Sequence, residues 1–185
     1  MNILQTPNEI LTRTAPPVSV VDKKIRAIID EMKQTLRESD IGVGLAAPQV
    51  GISLQIFLCS QYMPERENKL KTSIQVFINP TIISLSDAKT QSKKKTTSKK
   101  DKKLEGCLSI QHIWGTVKRA DSVTIAYIDE HAKHHKKTFT GFMATIIQHE
   151  MDHLKGVLFT QRVLEQGNKL YREIPGQEKF EEIEV

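Results

Sequence analysis

Cysteine is scarce. The 185 residues contain two, Cys59 and Cys107, too few for a disulfide framework, and free thiols suit a reducing compartment. Long apolar runs are missing too. No stretch approaches the roughly 18 consecutive apolar residues of a membrane-spanning helix. The opening, MNILQTPNEILTRTAPP, has neither the apolar centre of a secretory signal nor the Arg- and Ser-rich character of a transit peptide. The expected location is the cytoplasm, with no membrane partner. There is no internal repeat and no shift of composition that marks a boundary. One domain over residues 1–185 is expected, a length that supports a sizeable core.

A basic body is also lacking, although the formal net charge is +5. Residues 89–103, KTQSKKKTTSKKDKK, hold eight lysines and one aspartate, a local +7, which leaves 19 basic and 21 acidic residues elsewhere. The basicity is one insert, at about 87–103. It has no apolar periodicity, so a mobile loop is expected there. The body does not read as a nucleic-acid binder.

What is present reads as short strands and two helices. DKKIRAIIDEMKQTLRES places Ile25, Ile28, Ile29, Met32 and Leu36 at helical spacing behind Asp22, which predicts an amphipathic surface helix over 22–38. SLQIFLCS (53–60), SIQVFIN (73–79) and TIISLS (81–86) read as strands, with Pro80 separating the last two. GTVKR and SVTIAYID look like strands, EHAKHH a turn, KKTFT another strand, and FEEIEV a short one. Many short strands beside one apolar helix predict an α+β fold with a mostly antiparallel sheet.

That apolar helix, GFMATII, runs into QHEMDHLKG, residues 148–156. Thr140 is a reasonable N-cap and Gly156 a reasonable residue just past the end. His149 and His153 are four apart, so they project from one face and can share one ion, while Glu150 reaches the edge of that site without ligating. Catalytic metal sites usually take a third protein ligand. Three places offer one: the exposed-looking turn with His131, His134 and His135; Glu173, twenty residues past His153; and Cys107 in LEGCLS, whose thiolate is a strong ligand for divalent iron or zinc. Cys59, inside IFLC, reads as a small buried hydrophobe.

A further stretch, GVGLAAPQVG (42–51), makes a tight loop with one glutamine, Gln49. A side-chain amide beside a metal can donate to a developing oxyanion. The loop lacks a phosphate-loop lysine, which excludes that mode of nucleotide binding.

Together GVGLAAPQ (42–49), EGCLS (105–109) and QHEMDH (148–153) resemble the three motifs of the peptide deformylases, in the same order. ILQTPNEILTRTAPPV extends the likeness toward the N-terminus. The resemblance implies an α+β fold whose antiparallel sheets surround a central C-terminal metal-binding helix, with an N-terminal surface helix. It implies hydrolysis of the N-formyl group from the initiator methionine of new polypeptides, releasing formate. Cys107, His149 and His153 match the metal ligands, with a water as the fourth. Glu150 matches the general base and acid, and Gln49 with the backbone N–H of Leu108 the oxyanion donors. The family's natural metal is Fe2+, and Zn2+ or Ni2+ also bind. The nascent peptide is expected to pair with backbone near Val43–Gly44 and Gly106, with Val43, Phe142 and Ile146 lining the methionine pocket. Glu105 needs a cation beside the site, and Arg119 matches its partner.

The sequence departs from the pattern in three places. Gln111 stands where a proline usually follows the second motif, the insert is longer and more basic, and the chain ends acidic where many bacterial members carry a long basic helix that docks on the ribosome. The lysine-rich insert is the remaining candidate for a ribosome contact. Two other readings use the same residues: a zinc peptidase with Glu173 as third ligand, and a non-catalytic binding protein with a structural metal.

Overall fold

A computed structural model describes residues 1–39, 41–60, 73–86, 104–174 and 180–183. The lysine-rich insert expected to be mobile lies outside these residues.

A five-stranded antiparallel sheet forms the centre. Its strands are β1 (Gly44–Ala46), β2 (Ile56–Ser60), β3 (Ile74–Leu85), β6 (Ser122–Ile128) and β7 (His134–Thr140), in the order β1-β2-β3-β6-β7. Both faces of its inner strands are apolar, so each face needs a cover. Phe57, Phe77, Val123 and Ile125 pack on one side against Ala144, Ile147, Met151 and Leu154 of helix α2 (Gly141–Leu154). Phe57 and Phe77 are register partners and stack at 4.6 Å. Ile56, Leu58, Val76 and Ile78 point the other way, onto Ile25, Ile29, Met32 and Leu36 of helix α1 (Lys23–Glu38). The alternation of side chains along a strand feeds both layers at once. The run IFLC is therefore fully buried, because it is central in a sandwiched sheet. The N-terminal helix is as expected: Asp22 caps it through Ile25 N–H at 2.8 Å.

A second antiparallel sheet has the order β4-β5-β8-β9, with β4 (Glu105–Cys107), β5 (Ile110–Gly115), β8 (Leu170–Glu173) and β9 (Phe180–Ile183). The short helix α3 (Phe159–Glu165) closes on it through Phe159, Val163 and Leu170. Among the described residues no helix is long and apolar enough to cross a membrane.

Three expectations need correction. Pro80 does not end a strand. Asn79 takes a positive φ of 48° and the β3–β6 register shifts between Ile78 and Thr81, so the proline is absorbed in a bulge of one long strand. The Asn79 side chain holds that bulge, accepting from Val18 N–H at 2.8 Å and donating to Val18 C=O at 2.7 Å. GTVKR is not a strand; pairing ends at Gly115, and the strand lies over Ile110–Gly115. α3 was not foreseen, since TQRV shows too short an apolar period.

α2 ends where expected. Gly156 has φ +70°, and a Cβ there would meet the Thr12 carbonyl at 2.5 Å, so no other residue fits this stop.

Candidate metal centre and active site

The site lies where the two sheets meet α2. α2 supplies His149 and His153, and β4 ends on Cys107. The ligand atoms of Cys107, His149 and His153 lie within 4.8 Å of one another, and no other such cluster occurs among the described residues. The Cys107 sulfur is 3.3 Å from His153 Nε2. Of the three places that residue chemistry alone offered, Cys107 is the one that joins the two histidines, the residue to which the resemblance also pointed. Glu173 instead accepts from the Trp114 indole N–H at 3.1 Å, and His134 and His135 are exposed on β7.

The donor set fits a divalent transition ion. Burial opposes ionisation of the Cys107 thiol, but His153 and His149 pull its pKa down to about 5, so it is a thiolate near neutral pH. Burial likewise opposes the charged imidazole of His149, yet Cys107 and Glu105 raise its pKa to about 10. His149 Nδ1 meets Glu105 Oε2 at 3.0 Å, which orients the ring and leaves Nε2 for an ion.

Glu105 is held in turn. Arg119 grips both its oxygens, at 2.9 and 3.0 Å, and reaches Asp152 Oδ2 at 2.6 Å. Asp152 also accepts from Arg162 of α3 at 2.9 Å. Burial opposes the Glu105 and Asp152 carboxylates, but these partners keep both below the ordinary range. Arg119 was anticipated; Asp152 and Arg162 were not. The available signal was a second acid, Asp152, on the buried half of the helix, since a buried carboxylate needs a cation.

Glu150 is 4% exposed, and its Oε2 has no partner among the described residues. Burial pushes its pKa up to about 7, with His149 and His153 opposing. Gly44 of β1 faces it directly. A Cβ on Gly44 would stand 2.1 Å from Glu150 Oε1 and 2.7 Å from Cδ.

Gln49 sits in a 3-10 turn, Ala47–Val50, and is 2% exposed. Its Oε1 accepts Ala46 N–H at 2.8 Å, so Nε2 is the end turned to the site. Nε2 lies 3.5 Å from Cys107 Sγ and 3.2 Å from Ser109 Oγ. Ser109, fully buried, is a further contact that the sequence did not single out. Leu108 and Ser109 form the tight turn between β4 and β5. Gly106 lies against the Trp114 ring, where a Cβ would come to 2.9 Å. Of the three expected pocket residues, Ile146 is buried, Val43 packs at the edge of the same core, and Phe142 is half exposed.

The polypeptide deformylase family model matches residues 1–169. A peptide deformylase of Treponema pallidum is 37% identical over 153 residues, 83% of this chain and 82% of that protein. One from Dehalococcoides mccartyi is 36% identical over 181 residues, 98% and 96% of the two chains. Among solved structures, a peptide deformylase from Synechococcus elongatus in complex with actinonin superposes with a TM-score of 0.72 at 34% identity, covering 88% of this chain and 78% of that one.

Proposed function

Because this chain belongs to the peptide deformylase family, whose members are metal-dependent hydrolases that remove the N-formyl group from new polypeptides, we propose that Cys107, His149 and His153 hold the metal and that Glu150, Gln49 and Leu108 carry the reaction. One observation bears most of this reading: three ligand atoms within 4.8 Å of one another, beside the buried Glu150 carboxylate, whose Oε2 has no partner among the described residues.

The metal, when bound, supplies a Lewis acid and lowers the pKa of a water. The chain's own residues do the rest. Glu150 takes a proton from the attacking water, which adds its oxygen to the formyl carbon. A carboxylate poised near neutrality can accept that proton and release it again. It passes the proton to the nitrogen as the C–N bond breaks, so formate leaves and the methionine amine is freed. Gln49 Nε2 and Leu108 N–H donate to the oxygen that gains charge, and a donor fixed in advance needs no reorganisation. Glu105 and Arg119 hold His149. The peptide backbone pairs with Val43–Gly44 and Gly106, so side chains past methionine contribute little selection. Val43, Phe142 and Ile146 line the methionine pocket.

Ferrous iron is the proposed ion, with zinc or nickel as substitutes, since a Cys-His-His set suits all three. Residues 1–185 act as one domain, in the cytoplasm, where free thiols persist. The lysine-rich insert is the proposed ribosome contact, on its charge alone.

The reading is tested by formate release from a formyl-methionyl peptide, with protein prepared anaerobically and its metal measured. Wild type is expected to turn over with about one metal per chain. Cys107→Ser is expected to lose the metal and the activity together. A Cys107→Ser variant that kept its metal would take the ligand role from Cys107 and sink the assignment.

A further inference from the structure

The two oxyanion donors come from different sheets. Gln49 follows β1 of the five-stranded sheet, and Leu108 follows β4 of the four-stranded one. Their spacing decides whether one oxygen can meet both. A third segment, Leu4 to Thr6, is bonded to each loop. Leu4 N–H donates to the Gln49 carbonyl at 2.8 Å, and Thr6 N–H to the Ser109 carbonyl at 3.0 Å. Between them, Gln5 Nε2 donates to the Leu108 carbonyl at 2.9 Å.

This segment is itself tied down. The Met1 ammonium donates to Thr35 Oγ1 of α1 at 3.0 Å. Beyond it, Asn8 caps a short turn, Glu9–Thr12, by accepting Ile10 N–H at 3.1 Å, and Leu11 of that turn is fully buried. Ala15 N–H then donates to Leu154 C=O, at the end of α2, at 2.9 Å.

We propose that Leu4–Thr6 is a strap that sets the spacing of the two oxyanion donors, with Gln5 as its positioning residue; the proposal rests on the oxyanion reading of Gln49 and Leu108. Two consecutive carbonyls, of Leu108 and Ser109, are pinned by two consecutive residues, Gln5 and Thr6. The Leu108 N–H lies in the preceding peptide plane, joined to the held plane at the Leu108 Cα, so fixing the next two carbonyls restrains the turn and with it the direction of that N–H. Leu4 fixes the Gln49 main chain in the same way. A donor that must stabilise charge only in the transition state gains from being immobile beforehand. Gln5 touches neither substrate nor ion in this scheme. Its side chain is exposed, so nothing in packing requires a glutamine there, and its amide carries the specific bond.

The strap is tested in the full-length, metal-loaded protein with Gln5→Met, which keeps length without a donor, and Gln5→Lys, which restores one. Gln49→Ala serves as the reference. Steady-state formate release, metal content and thermal midpoint are measured for each. Gln5→Met is expected to lower kcat by about three- to tenfold, the loss of one positioning bond. KM for a short formyl peptide should stay within about twofold, with metal content and midpoint unchanged, and Gln5→Lys should recover most of the rate. A wild-type kcat in Gln5→Met, with Gln49→Ala impaired, overturns the strap and leaves the oxyanion reading standing. Full activity in Gln49→Ala removes the oxyanion reading itself and the strap with it. A kcat loss matched by lost metal or a lower midpoint makes Gln5 merely structural and also overturns the proposal.

Discussion

A Cβ added to Gly44 would stand 2.1 Å from the Glu150 carboxylate, so the space a side chain would fill belongs to the proposed base. Glu150 is buried and cannot swing into solvent to make room. Gly44→Ala is therefore expected to displace the carboxylate by about 1 Å and to slow turnover by about 100-fold, the cost of a misplaced group. Metal content should be kept, because the proposed ligands lie elsewhere. An alanine variant with wild-type kcat would show that the base is not held by this contact. Glu150→Gln asks a different question at the same point. It keeps shape and removes proton transfer, so the metal should stay while deformylation falls by about 10²- to 10⁴-fold. Undiminished turnover in the glutamine variant would take the base role away from Glu150. Both tests concern residues named from the sequence, and their types and spacing follow from the chemistry. That Gly44 faces Glu150 was not legible, since the two lie on a strand and a helix far apart in the chain.

Helix α2 was legible because one element carries its own pattern: an apolar approach, two histidines four apart, and a glycine stop. The bulged β3 was not, because a proline at a bulge and a proline between strands look alike in one dimension. The β6–β7 hairpin shows a related point. Its three histidines looked like a possible ligand set, yet they serve or flank a turn. Asp129 Oδ1 accepts His131 N–H at 2.8 Å and Lys133 N–H at 3.0 Å, while Oδ2 meets His135 Nε2 at 2.7 Å. Slight burial opposes the charge, but the Lys133 N–H, the His135 ring and the His131 N–H bring the Asp129 pKa down to about 2. A depressed carboxyl stabilises the folded state above its ordinary pKa, near 4, and loses that contribution as pH falls through about 2. Asp129→Ala should lower the thermal midpoint by about 2–4 °C at neutral pH, and the gap to wild type should close between about pH 4 and pH 2. A gap that persisted undiminished at pH 2 would mean the carboxylate charge contributes nothing to this turn.

At the scale of the whole molecule, charge is divided unevenly. Residues 89–103 carry a local +7 against a slightly acidic remainder. Deleting residues 89–102 should leave turnover of a short formyl peptide unchanged, weaken ribosome association and flatten its salt dependence, because fewer counterions are released. Equal affinity and an equal salt slope would remove the ribosome role. A collapse of short-peptide turnover would assign the insert to the active site instead.

Three short motifs were enough to determine the chemistry by themselves. Metal ligation and proton transfer demand particular side chains, and two of the proposed ligands sit on one helix, where spacing alone sets their direction. The N-terminal helix and strands β2, β6, β7 and β9 were also readable from local pattern, whereas β1, β4, β5 and β8 were not, three of them being only three or four residues long. The third ligand was different. By residue chemistry alone Cys107, Glu173 and the histidine turn were all able; the motif resemblance favoured Cys107, and the pairing of β4 with β5 beside α2 puts its sulfur 3.3 Å from His153. The same holds for Gly44 under Glu150, for Arg162 behind Asp152, and for Gln5 against Leu108. These are contacts between segments far apart in the chain. No period in a sequence encodes them, because they arise only when two sheets and a helix pack to cover one another's apolar faces.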